Sequence, residues 1–266
     1  MKMSTILAAL AAVLGGSVLC ILAYLIVDGR QTAERQAEGI TKRFSELRSD
    51  IAKLTDLMSI ESPAEGGNRR LDVRLFAIRS QLEQADQPVI VVGDSITEGA
   101  PLPSSICGHA VVNAGIGGMT AQSYLPLATQ FLTNEAAGLI VVALGTNDST
   151  IVSPEWSVVE RGYSDLLDLL AQHTTNLVLA GIPPFEMNGA LAKDFINQAA
   201  GDRNDAGIRT IAETRKFSFI DLRHDIHGEG LTRDGIHLNA AGYAQWRDDI
   251  VSHIRSSIGC SEARAR

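Results

Sequence analysis

Cysteine and positive charge are both scarce in this chain of 266 residues. Its three cysteines, Cys20, Cys107 and Cys260, are too few and too scattered for a disulfide-dense scaffold or a zinc cluster, which need closely spaced ligands. At most one disulfide fits. Lys and Arg number 23 against 31 Asp and Glu, a formal net charge of −8 that argues against a nucleic-acid partner. Hydrophobic residues make up 45% and charged residues 20%, which excludes a disordered or low-complexity chain and requires a packed core.

Charge is absent from the whole segment Ser4 to Val27, which is rich in Leu, Ala, Val and Ile and ends at Asp28 and Arg30. About 20 apolar helical residues cross a bilayer, so residues 1–28 read as a transmembrane anchor or uncleaved signal. A cleaved signal peptide is the rival reading, yet its apolar region is usually about 7–15 residues with a small-residue cleavage site just beyond. Here Tyr24-Leu25-Ile26-Val27 precedes the boundary. Lys2 faces Arg30 and Arg35 across the span, so orientation is weakly specified. The expectation is a membrane-anchored chain with its main domain on the extracytoplasmic side, periplasmic or extracellular, with a secreted form as the alternative.

Residues 29–85 read as a helical stalk with a break at 61–70. Ala33, Ala37, Ile40, Phe44, Leu47, Ile51, Leu54 and Met58 alternate spacings of four and three, a heptad seam. A dimeric coiled coil, and with it a homo-oligomer, is one expectation. A helix folding back on a second one is the other, because Leu71, Leu75, Ile78 and Leu82 repeat the pattern after Ser62-Pro63-Ala64-Glu65-Gly66-Gly67-Asn68.

From Asp86 the pattern changes to short apolar runs alternating with amphipathic stretches. Val89–Val92, Ala110–Val112, Leu139–Ala143, Leu177–Leu179 and Phe217–Ile220 are continuous enough to be buried strands. Tyr163–Gln172 and Leu191–Lys216 read as helices between them. Residues 86–262 are therefore expected as a three-layer α/β/α domain on a five-stranded parallel sheet, with 263–266 as a tail. Ligands in such sheets bind beyond the C-terminal ends of the strands.

The residues just past those ends are small and polar. The first run leads into Gly93-Asp94-Ser95-Ile96-Thr97, which exposes the Ser95 hydroxyl at a strand-to-helix turn. The second leads into Asn113-Ala114-Gly115-Ile116-Gly117-Gly118-Met119-Thr120, a glycine-rich turn whose amides can approach a ligand closely. The third leads into Gly145-Thr146-Asn147-Asp148, and far downstream Asp234-Gly235-Ile236-His237-Leu238-Asn239 sets a carboxylate three residues before an imidazole. Singly, each has a plainer explanation: an N-cap, a tight turn, a surface loop. Their joint order does not.

In that order the four segments resemble the GDSL, or SGNH, hydrolase family, over about residues 86–258 and none of the stalk. The resemblance implies the flavodoxin-like SGNH fold and a carboxylic ester hydrolase. It makes Ser95 the nucleophile, Gly118 and Asn147 oxyanion-hole donors, His237 the general base and Asp234 its orienting carboxylate. The physical logic agrees. A serine hydroxyl needs an imidazole to take its proton, and the imidazole needs its other nitrogen held. The oxyanion needs preorganised donors, which the Ser95 amide, the Gly118 amide and the Asn147 side chain supply, with Gly115 an alternative to Gly118. The chemistry calls for no metal or cofactor. Gly93–Thr97 is not the Gly-x-Ser-x-Gly elbow of α/β-hydrolases.

The remaining polar residues take structural readings. Asp94 and Asp148 are expected to fix loop geometry, His224-Asp225-Ile226-His227 to be surface, and Trp156 and Trp246 to pack, with Trp156 also a candidate pocket wall. Cys107 and Cys260 are both expected at the end of the sheet away from the rim, so a disulfide or two free thiols are the alternatives. The short connection between Ser95 and Asn113 leaves no dedicated lid for a long acyl chain. The leading expectation for substrate is a short acyl ester, acetyl on a carbohydrate or envelope glycan. A lysophospholipase, thioesterase or acyltransferase is the alternative within enzymes, and an inactive binding module on a coiled-coil stalk the alternative outside them.

Overall fold

The computed structural model describes residues 64–132 and 136–260. The expected anchor at 1–28, the heptad seam from Ala33 to Met58 and the tail at 263–266 lie outside the described residues. Among the described residues no helix is long and apolar enough to cross a membrane.

Six strands form one sheet: β1 (Val89–Gly93), β2 (Ser105–Ile106), β3 (His109–Gly115), β4 (Leu139–Ala143), β5 (Leu177–Ala180) and β6 (Ser218–Ile220). Their order is β2-β3-β1-β4-β5-β6. The five expected strands pair in parallel, with Val91 beside Asn113 on one side and Val141 on the other. The expectation of a five-stranded, wholly parallel sheet is corrected by β2, which pairs antiparallel with β3. Its two residues are joined to β3 by Cys107 and Gly108, both with positive φ (52° and 88°), the backbone that a two-residue hairpin of matching twist requires. A strand so short carries no readable periodicity.

Among the described residues eight helices connect and cover the strands: α1 (Ala64–Leu82), α2 (Ser95–Glu98), α3 (Ala121–Phe131), α4 (Trp156–Leu170), α5 (Ala192–Phe195), α6 (Gln198–Arg215), α7 (Leu222–Asp225) and α8 (Ala240–Ser257). Strand residues alternate between the two faces. Ile90, Val92, Ile140, Val142 and Leu179 pack under α1, α3, α4 and α6. Val89, Val91, Leu139, Val141 and Val178 pack under α8 through Trp246, Ile250 and Ile254, helped by α7 and Ile96. Burial of both faces explains why the strands read as unbroken apolar runs rather than alternating ones.

The stripe Leu75, Ile78 and Leu82 of α1 is buried in the core beneath the sheet, with Leu71 packed against it. Two expectations change here. The helix starts at Ala64, inside the segment expected as a break, and the compact unit begins at Arg69 rather than Asp86. A helical stripe shows in the sequence, but the surface it covers does not. The single helix expected over Leu191–Lys216 is two: Ile196 bridges Thr150, and the Asn197 side chain caps α6 by accepting from the Ala200 amide at 3.1 Å. Cys107 and Cys260 form a disulfide, Cα to Cα 6.3 Å, tying the β2–β3 hairpin to the chain just past α8.

Candidate active site

Ser95 is the first residue of α2, straight after β1, and Asp94 forces that turn: its side chain accepts from the Ile96 amide at 2.9 Å as N-cap. The Ser95 Oγ lies 2.9 Å from Nε2 of His237. Nδ1 of His237 lies 2.8 Å from Oδ2 of Asp234. The other carboxylate oxygen, Oδ1, accepts from the amides of His237 at 2.8 Å and Ile236 at 3.0 Å, so the loop closes on its own carboxylate. Burial pushes the Asp234 carboxyl up, but those amides and the imidazole outweigh it and hold it below the usual carboxylate range. A carboxylate kept ionised there fixes the imidazole tautomer with its proton on Nδ1 and leaves Nε2 to accept from the serine.

The loop carrying Asp234 is itself anchored. The Glu186 carboxylate accepts from the amides of Leu231 at 2.8 Å and Thr232 at 3.1 Å, and from the Thr232 hydroxyl. The Asp234 carbonyl accepts from the amides of Leu191 and Ala192 at 2.8 and 3.1 Å. Beyond His237, the Asn239 side chain caps α8 by accepting from the Ala241 and Gly242 amides.

Opposite lies the glycine-rich turn after β3. The Gly115 amide donates to Oδ1 of Asn113 at 3.0 Å and the Gly117 amide to Oε2 of Glu98 at 2.6 Å. Among the described residues the Gly118 amide has no acceptor, whereas the Gly115 amide is already engaged. Gly118 has φ +81°, a conformation that suits glycine, whereas a Cβ on Gly115 would stand 2.2 Å from the Glu98 nitrogen. Nδ2 of Asn147 donates to the Met119 carbonyl at 3.1 Å, which aligns the amide beside the same turn and leaves its second N–H. Hydroxyl, imidazole, carboxylate and two amide groups thus meet at one edge of the sheet, from four separate segments.

Below them sit two buried acids. Burial pushes Asp94 up to about 6, against its bonds to Ile96 and Thr146. Burial likewise pushes Asp148 up to about 6, against a bond from the Ala121 amide. Asp94 braces its own loop through the Ile96 amide, the role read for it in the sequence, whereas Asp148 reaches across to the first amide of α3 at Ala121. Trp156 packs, as expected: its ring lies against Gly207 of α6, where a Cβ would come within 2.3 Å. Trp246 is buried under the opposite face. His224 and His227 bond Asp225 at an exposed corner.

Residues absent from the sequence reading also shape the rim. Arg74 on α1 donates to the Asn113 and Gly115 carbonyls, and Arg70 pairs with Glu98 at 2.9 Å. Burial draws the Arg74 pKa down while Glu98 draws it up. Glu186 likewise has no motif to announce it. An isolated arginine in a helix and a glutamate in a loop look like ordinary solvated charge.

A serine, an imidazole and a carboxylate in hydrogen-bonded series at the C-terminal edge of an open α/β sheet have the geometry of a serine acyl hydrolase. The model of the GDSL-like Lipase/Acylhydrolase family matches residues 91–245, and the chain belongs to this family of carboxylic ester hydrolases. Among curated proteins it is similar to an arylesterase of Vibrio mimicus, 28% identical over 132 residues, which cover 44% of this chain and 66% of that protein. The match thus spans just under two thirds of the arylesterase's length. Two solved structures share the fold. One is a Streptococcus pneumonia protein, 19% identical with TM-score 0.57, covering 74% of this chain and 99% of that one. The other is a catalytic mutant of an acetylxylan esterase from Geobacillus stearothermophilus, 16% identical with TM-score 0.53, covering 68% of this chain and 97% of that one.

Proposed function

We propose that this chain hydrolyses short acyl esters through an acyl-enzyme on Ser95, with acetyl groups on a carbohydrate or envelope glycan as the substrate class. The observation that carries the reading is the unbroken series from the Ser95 hydroxyl through His237 to Asp234, at 2.9 and 2.8 Å. Ser95 Oγ attacks the ester carbonyl carbon while Nε2 of His237 takes its proton. The carbonyl oxygen gains the negative charge and accepts from the Ser95 amide, the Gly118 amide and the Asn147 side chain. Collapse breaks the bond to the alcohol, which leaves with the proton from Nε2. Water then repeats the sequence on the acyl-serine, releasing the acid and restoring the hydroxyl.

The short connection from Ser95 to Asn113 supports a small acyl group, since it holds only α2, β2 and a tight turn. The acetylxylan esterase shows that this fold accommodates esterase work on acylated glycan. A location outside the cytoplasm is proposed with it, supported by the charge-free Ser4–Val27 segment and by the disulfide, which persists in oxidising compartments. In that setting the segment before Arg69 serves as membrane anchor and stalk, and its seam as a self-association surface.

One observation favours a second reading. Ile151 and Phe195 are 62% and 54% exposed and Val152 84%, and the Ile151 amide bonds the Phe195 carbonyl at 2.9 Å, so they form one apolar strip. The strip follows Asn147 in the chain, which suits an ester with a longer apolar acyl chain, such as a lysophospholipid.

The test compares the full chain with its Ser95→Ala variant on p-nitrophenyl acetate, butyrate and longer esters. Acetate turnover that is lost in the variant and falls with chain length is the expected result. Rising turnover with chain length moves the substrate to lipids, and equal rates in both proteins remove Ser95 from the mechanism.

A further inference from the structure

We propose that α1 is part of the catalytic apparatus and that its Arg74 is a positioning residue for the turn that presents the Gly118 amide. The proposal rests on the reading of Gly118 as an oxyanion donor. It concerns residues upstream of the 91–245 stretch that matches the family.

The turn grows out of an edge of the sheet. β2 pairs only with His109 and Ala110, and the Val111 amide bonds the Ser104 carbonyl at 3.0 Å. The outward groups of Asn113 and Gly115 therefore have no strand beside them. A guanidinium takes that place. Arg74 Nε donates to the Gly115 carbonyl at 2.7 Å, and Nη2 donates to both the carbonyl and Oδ1 of Asn113 at 2.8 Å. Asn113 passes the constraint on, because its Nδ2 donates to the Thr97 carbonyl at 2.7 Å and its Oδ1 also receives the Gly115 amide. α1 adds a second strut. Arg70 Nη2 grips both oxygens of Glu98, at 2.9 and 3.1 Å, and Glu98 receives the Gly117 amide.

The backbone is thus pinned at Asn113, Gly115 and Gly117, immediately before the one amide left to face a ligand. Three acceptors on two residues need a planar fork of donors, which arginine has and lysine does not. Without the fork, two carbonyls at the sheet edge lose their partner and the turn relaxes toward water. A displacement of about 1 Å in a catalytic group can cost on the order of 100-fold in rate.

The experiment uses the full chain with Arg74→Met and Arg74→Lys, beside wild type, Arg79→Met and Ser95→Ala. It reads kcat, KM and Tm on p-nitrophenyl acetate. Arg79 also docks α1, donating Nε to the Gln130 carbonyl at 2.9 Å, but away from the turn, so its variant reports docking alone. The expected result is kcat lowered about 10- to 100-fold in both Arg74 variants with KM within about threefold, the pattern of an interaction made in the transition state. Arg79→Met keeps wild-type kcat, and its loss appears in Tm. Should Arg74→Met fail to fold, the Lys variant, which retains the stem and the charge, decides. A kcat for Arg74→Lys within about twofold of wild type, or an equal kcat loss in Arg79→Met, overturns the proposal. A fully active Ser95→Ala overturns instead the hydrolase reading beneath it, a result distinct from unaffected Arg74 variants beside a dead Ser95→Ala.

Discussion

One face of the sheet lies under four long helices and the other under α8 with short companions, and the two halves of the rim divide along the same line. Gly118 and Asn147 lead into α3 and α4 on the thick face, where side chains repeatedly cap loop and edge carbonyls. Arg74 does so at Asn113 and Gly115, the Tyr124 hydroxyl at Ala114, and the Tyr163 hydroxyl at Leu144 at 2.5 Å. Asp234 and His237 lead into α8 on the thin face, held by a loop that depends on Glu186 and by a helix tethered at its far end through Cys260. On the proposed mechanism, charge stabilisation requires donors that do not reorganise, and Gly118 and Asn147 lie on the face where Arg74, Tyr124 and Tyr163 brace the carbonyls. Proton transfer requires an imidazole that serves attack and departure in turn, and on the proposed mechanism His237 does so from a loop held by Glu186 and by its own Asp234 carboxylate.

Breaking the thin-face half has the larger effect on chemistry. His237→Ala removes the imidazole that faces the Ser95 hydroxyl, and kcat on p-nitrophenyl acetate is expected to fall by about 10⁴-fold or more. Asn147→Ala removes one of several oxyanion donors on the thick face and is expected to cost about 10²–10³-fold in kcat with KM nearly unchanged. An Asn147 loss as large as that of His237 would erase the distinction between the halves.

The next prediction sharpens the comparison through stability. Cys107→Ser opens a disulfide that closes a separation of 153 residues. The chain-entropy model gives such a loop about 5 kcal/mol, of which about 2–4 kcal/mol is typically realised. A lower denaturant midpoint with kcat retained is expected, because the tether lies at the end of α8 remote from His237. A collapse of kcat in folded protein would show that the thin face depends on it for geometry.

The smallest effect concerns the buried acids beneath the rim. The folded pKa of Asp148 is raised, so the folded state holds its proton to higher pH than the unfolded state does. Its stabilising contribution is complete below the unfolded value and is lost as pH rises through about 6. Asp148→Asn removes that dependence. Its stability relative to wild type is expected to improve between about pH 4 and 7, by on the order of 1–3 kcal/mol, measured by urea unfolding at each pH. A pH-independent difference would mean that Asp148 titrates alike in both states.

The parts legible in the sequence were those whose signal is local. Leu139–Ala143 is a strand to the residue, because burial on both faces demands an unbroken apolar run. The Ser95, Gly118, Asn147 and Asp234–His237 segments stood out through their joint order, which resembles the family, since each alone reads as a cap, a turn or a surface loop. Less was legible where the partner is distant in sequence. The Leu71–Leu82 stripe announced a helix, yet nothing in it distinguishes a coiled-coil partner from a sheet. Arg74 meets acceptors 39 and 41 residues away, and Glu186 holds amides 45 and 46 residues away. Such long-range pairs leave no periodic trace.

The separation of 142 residues between Ser95 and His237 bears on how activity first arises during synthesis. Domains begin folding from the N-terminal end as the chain emerges. A nascent chain can hold the serine, the glycine turn and Asn147 and still have no base to take the serine proton. On the proposed mechanism the series from Ser95 to Asp234 is complete only when the stretch beyond Asp234 has been made and α8 has docked against the sheet. On the proposed mechanism a chain cut short before that point lacks the base, so the full rate on esters reports that synthesis has reached this last segment.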